Sequence, residues 1–255
     1  MLTGILIIVA IGLLAVLSHR RSRLENKIYN NVPLNDWLTV LILPIMFYLG
    51  WFFIVKNILE RSYIPRLPFE DFDILAITTL FMVYGFVGNS IHFTGKILWK
   101  YLKESKHSMA YKVNEMFHGK LSHYLVYLNM VFIMFLLAIL ELNHPLPLNI
   151  SRINFIVIIL AGIVFGLSGR RAVFYTNEWF GGYNKPLFFL SAFLLSILFV
   201  LHKTYKLSYF SYPVNLFAIS MGISFIATFV VRQFFIFARL GNKRKLRFLA
   251  KILSV

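Results

Sequence analysis

Polar residues fall into short intervals along this chain, and between them lie seven apolar runs of roughly 17–25 residues, the length that crosses hydrocarbon as a helix. The runs lie near 2–18, 37–58, 73–97, 122–142, 153–169, 186–203 and 212–237. Inside lipid they have to be helical, because an open strand would leave backbone groups without partners. The pattern therefore predicts an all-α, polytopic integral membrane protein with seven transmembrane helices, folded as a single transmembrane domain over 1–255. No internal repeat, soluble domain or low-complexity linker interrupts it. The first run is expected to stay with the chain: no basic segment precedes it, no A-x-A site ends it, and HRRSR follows directly. After the last run, ARLGNKRKLRFLAK alternates cations with Leu and Phe. Residues 238–255 are thus expected to lie on the membrane surface as a basic amphipathic helix.

Composition agrees with the pattern. The chain is 59% hydrophobic and only 14% charged, too little charge to cover a soluble surface of 255 residues. Mean hydropathy is +0.73. A net charge of +16 would suggest nucleic acid in a soluble protein. Here it points to basic loops beside anionic lipid, so membrane and phospholipid are the expected partners and nucleic acid is not. Alternate loops divide the cations unevenly, nineteen on one side of the bilayer against six on the other. The positive-inside rule then predicts the N-terminus out and the C-terminus in, in a cell's inner (plasma) membrane. The chain has no cysteine, which excludes disulfides and thiolate ligands of its own.

Three polar stretches could carry chemistry. In VYGFVGNSIHFTGKI, Gly85, Gly88, Asn89, His92 and Lys96 recur at helical spacing on one face. That face serves either close helix packing, with Asn89 and His92 as interhelical glue, or the wall of a polar cavity. In YKVNEMFHGKLSHY, His118 and His123 stand five apart, which on an α-helix does not set them side by side. With His92 and Glu115 they could form a metal site, but no metal-ligand motif is present, and a pair of interfacial histidines is the alternative. His123 and His144 are too far apart along one helix to share a haem. The last run has no lysine for a retinal Schiff base. In GLSGRRAVFYTNEWFGG, Arg170, Phe174, Glu178 and Gly181 are spaced four, four and three apart. On a continuing helix they share a face and bring an arginine fork and a carboxylate to one interfacial pocket. The alternative is a snorkelling arginine pair with Glu178 as its salt-bridge partner.

Two of these stretches together resemble one family. FHGKL (117–121) resembles the F-H-G-G-L element of prolipoprotein diacylglyceryl transferases, and GRRAVFYTNEWFG (169–181) resembles their G-R-L-G-N-F-I-N-G-E-L-W-G signature without a gap. Weaker likenesses in the apolar runs extend the resemblance over residues 32–232, leaving 2–18 as an extra first span. The resemblance implies a transferase that needs no cofactor and moves diacylglyceryl from phosphatidylglycerol to the cysteine of a lipoprotein precursor. It implies His118 as base for the incoming thiol, Arg170 as holder of the phosphate, Glu178 as the group that orients Arg170 or the glycerol hydroxyls, and Gly181 as a point of close backbone approach. Asn89 and His92 join Arg170 and Gly181 as candidate lipid- or phosphate-binding residues. The chain departs from the pattern at Lys120, Val173, Met221 and Phe225. The family also carries these elements on the outer membrane face, whereas the charge count puts them inside. Two other readings follow: a catalytically diverged protein that binds anionic lipid, and a small transporter or channel lined by Asn89, His92 and Lys96.

Overall fold

A computed structural model describes residues 1–18, 26–30, 32–169, 184–241, 244–246 and 248. Among these, seven long helices follow one another: α1 (Leu2–Ser18), α2 (Leu34–Leu59), α3 (Asp71–Leu102), α4 (Met109–Leu142), α5 (Arg152–Ser168), α6 (Asn184–Thr204) and α7 (Pro213–Ala238). Five of them, α2, α3, α4, α6 and α7, are long and apolar enough to cross a membrane. At 17 residues each, α1 and α5 are shorter apolar helices of about 25 Å. A two-residue hairpin, β1 (Ile28–Tyr29) paired antiparallel to β2 (Val32–Pro33), leads into α2. Its turn passes through Asn30 at φ 48°, a left-handed position that asparagine tolerates.

Local chemistry sets the helix starts. Glu70 and Asp73 form a capping box at α3, with Glu70 N–H donating to Asp73 Oδ2 at 3.1 Å. Ser108 Oγ accepts from Tyr111 N–H at the start of α4, and Ser151 Oγ accepts from Asn154 N–H at α5. Pro213 opens α7 where its missing N–H costs nothing. The structure starts α4 thirteen residues before the apolar run at 122, because Met109–Leu121 is amphipathic and carries too little apolar length to read as span.

α1 packs on α2 and α5, α5 on α7, and α3 on α4, while α7 also meets α4 and α6. The α5–α7 seam is close because glycine allows it: a Cβ on Gly162 would lie 2.7 Å from both the Phe217 carbonyl oxygen and Ser220 Cβ. Gly162→Leu is therefore expected to destabilise the bundle by roughly 1–3 kcal/mol, read as a lower thermal midpoint in detergent. An unchanged midpoint would show that the seam can open.

The two ends of the bundle differ. One gathers the chain around Met1, 57–71, 141–152 and 202–215, and its loops hydrogen-bond to one another. Ile64 N–H donates to Asn143 O at 2.8 Å, and Leu146 and Ile150 N–H donate to Ser211 O and Phe210 O at 3.0 Å. Beneath this end the interior is packed solid with Ile54, Ile58, Leu137, Leu140 and Phe217, all fully buried. The other end, where α3 turns into α4, holds the lysines of the intervening loop, and there the interior is hollow.

Candidate functional site: a cavity beside three histidines

The hollow is a cavity of about 290 Å³ bounded by the later turns of α1, the start of α2, the middle of α3 and α4, and the last turn of α5. Apolar side chains such as Phe47, Met82 and Phe165 form most of its wall. Its polar groups come from separate helices: Asn35 and Thr39 of α2, Asn89, His92 and Lys96 of α3, His123, Tyr127 and Asn129 of α4, and Ser168 with Gly169 at the end of α5. A mostly apolar pocket with a few convergent polar groups is the usual form of a ligand site.

Both helices that enter the cavity from the basic end contain a wide π turn. Residues 38–42 in α2 and 116–121 in α4 hydrogen-bond at i→i+5. Such turns are rare and often mark functional sites, because the extra residue re-aims the side chains around it. In α4 the effect is direct. His118 and His123, five apart, do not stand side by side on an α-helix, but the π turn corrects that reading. Their ring centroids lie 6.3 Å apart, and His92 reaches over from α3 to both, 4.6 Å from His118 and 4.8 Å from His123. Ser122 Oγ donates to the His118 carbonyl and lies 3.5 Å from His92 Nδ1. His123 Nδ1 faces the Gly119 carbonyl at 2.8 Å, so that nitrogen carries the proton and the neutral ring's lone pair is on Nε2. Among the described residues no group of three or more His, Asp or Glu is gathered as a metal ion requires.

Glycine makes the cluster possible. A Cβ on Gly95 would sit 2.5 Å from His118 Cβ and 3.2 Å from its Cα. The backbone is fixed there as well, since Asn114 Nδ2 donates to the Gly95 carbonyl at 2.9 Å. His118 is consequently buried behind His92 rather than on the cavity wall. On the wall itself, Asn89 Nδ2 donates to the Thr39 carbonyl at 3.2 Å and ties α3 to the π turn of α2. Lys96 forms an ion pair with Asp36, whose other carboxylate oxygen has Lys100 Nζ at 3.8 Å. Asp36 is buried, at 2% exposure.

Of the residues singled out in the sequence, Asn89 and His92 line the cavity and His118 stands behind it. Gly88 belongs instead to the α3–α4 seam, against Leu125 and Ser122. Arg170, Glu178 and Gly181 lie outside the described residues, but Gly169, which immediately precedes Arg170, is on the cavity wall. His123, which the sequence offered only as a metal ligand or interfacial histidine, also lines the cavity, and sequence reasoning left out Tyr127, Asn129 and Asp36. An aspartate opening an apolar span opposite a helix of lysines was the one available signal for Asp36.

No protein-family model, curated protein or solved structure matches this chain.

Proposed function

We propose that this is a seven-span membrane protein, with α1 and α5 crossing alongside the five longer helices, and that its cavity holds a phosphatidylglycerol-like lipid for transfer of the diacylglyceryl group to a lipoprotein-precursor cysteine. One observation carries the reading. Gly169, the first residue of the stretch that resembles the family's arginine signature, is on the cavity wall, and His118 of the other stretch lies behind that wall with its ring centroid 4.6 Å from that of His92, which lines it. In the reaction, the thiol gives its proton to a cavity histidine and its sulfur bonds the diacylglyceryl carbon. The carbon–oxygen bond to phosphate breaks, and glycerol phosphate leaves as an anion, held by Arg170. His92 and His123 meet the substrate in this scheme, and His118 exchanges protons through His92. The test is rescue of a bacterium depleted of its own transferase, with His92→Asn and Arg170→Ala as impaired controls. A well-expressed wild-type chain that fails to rescue removes the reading.

One feature favours a second reading, in which the cavity binds anionic lipid without transferring it. Phe225 stands where the resemblance expects an arginine. It is 3% exposed, stacked edge-on against Phe229, and packed under Gly169, so this position offers no charge to a phosphate. Lipid retention without rescue would select this reading.

Sidedness can be settled in the same cells, because the chain has no cysteine of its own. Single cysteines at Ser105, on the basic end, and Ser208, on the opposite end, are both exposed. The charge distribution predicts that only the second reacts with an impermeant thiol reagent in intact cells. Labelling of Ser105→Cys alone would reverse the orientation and put the histidines on the face where the transferase family carries them.

A further inference from the structure

We infer that Lys96 is the residue by which the cavity selects a phosphate-bearing anion over a zwitterionic or neutral lipid, and that Asp36 holds it in reserve until the anion arrives. The inference rests on the reading of the cavity as a lipid head-group site and adds a determinant of specificity to it. Histidines apart, Lys96 is the one charged side chain among the described residues that line the cavity, and no carboxylate lines it. Its partner Asp36 lies behind the wall, buried, and faces a second cation, Lys100, at 3.8 Å. Two lysines and one aspartate leave one positive charge in excess. A buried carboxylate is costly unless a cation stays with it. When a phosphate takes Lys96, Lys100 remains beside Asp36, so the carboxylate is not stranded and the exchange is open. A phosphatidylcholine head group brings its own cation toward Lys96, and diacylglycerol brings no charge, so neither gains from the exchange. The π turn following Asp36, with Thr39 bonded to Asn35 O at 2.9 Å and to Asn89 through its carbonyl, fixes the carboxylate's backbone against α3 while the partners change.

The experiment uses the full chain in nanodiscs of mixed phosphatidylglycerol and phosphatidylcholine, extracted and weighed by native mass spectrometry. Wild type is expected to retain phosphatidylglycerol preferentially. Lys96→Gln is expected to reduce that preference about tenfold, Lys96→Arg to keep it, and Lys100→Gln to lower it as well, because without that second cation Asp36 keeps hold of Lys96. Asp36→Asn is expected to raise it by releasing Lys96, and this variant decides the matter if Lys96→Gln fails to fold. Soluble glycerol phosphate at the same concentration is expected to leave the bound lipid in place; displacement would overturn the lipid in favour of the free phosphate as ligand. An unchanged preference in Lys96→Gln or in Lys100→Gln, or no rise in Asp36→Asn, overturns the inference while leaving lipid binding intact. A wild-type chain that retains no lipid at all instead removes the reading on which it rests.

Discussion

Arg61→Met is expected to lower the thermal midpoint in detergent by on the order of 10 °C, corresponding to a loss of about 3–5 kcal/mol. The reason is at the sealed end of the bundle, away from the cavity. Arg61 follows α2, and its side chain is 4% exposed; Glu141, in the last turn of α4, is fully buried. Arg61 donates to Glu141 Oε1 at 2.9 Å, to the His144 and Asn57 carbonyls, to Asn57 Oδ1 at 3.0 Å and to Met1 Sδ at 3.5 Å. These use all five of its N–H groups. The other Glu141 oxygen accepts from the backbone and side chain of Asn215 at 2.8 and 3.2 Å. One ion pair therefore joins α2, α4 and the start of α7, with His144 bonding onward to Asp71 at 2.8 Å at the head of α3. Removing the arginine strands a carboxylate that has neither water nor a cation, and this cost exceeds the net worth of the pair. The same logic predicts that Arg61→Met with Glu141→Leu recovers most of the lost stability, since an apolar pair of similar volume leaves no buried charge. A double variant as unstable as Arg61→Met would show that the bonds themselves, rather than the stranded charge, hold this end together.

This network could not be read from the chain, whereas the bundle around it could. The long helices were legible because a run such as Pro213–Ala238 needs no partner to declare itself: its length and apolar content suffice. A carboxylate at the end of such a run, as at Glu141, is a visible anomaly, but its cation is 80 residues away and nothing local names it. The site was legible to a similar depth. Spacing of 3.6 residues per turn put Asn89, His92 and Lys96 on one face of α3, and all three line the cavity. The same rule separated His118 from His123, because it assumes an α-helix throughout, and a π turn is decided by packing: here, by the approach of His118 to Gly95 across two helices. Arg170, Glu178 and Gly181 lie beyond what the structure describes, so their part in the site rests on the sequence alone.

The histidine cluster carries the other large expected effect. In proteoliposomes containing phosphatidylglycerol and a lipobox peptide, His92→Asn is expected to lower kcat by about 10²–10⁴, the usual worth of a positioned acid–base group, with little change in KM. His92 lines the cavity, so on the proposed reading its loss removes the group that would take the thiol's proton. On the same reading His118 is a positioning and relay residue, because its ring centroid is 4.6 Å from that of His92 and it is not on the wall. His118→Asn alone is expected to cost less. The double variant is expected to be no slower than His92→Asn, because two groups that act as one unit cannot be lost twice. Independent roles would give multiplied losses instead. Gly95→Val probes the same contact without touching a histidine. Its side chain would occupy the space of His118 Cβ and push that ring off His92, so turnover should fall with lipid retention unchanged. Unaltered turnover in both His92→Asn and Gly95→Val would mean that the histidine cluster, however close its rings, handles no proton.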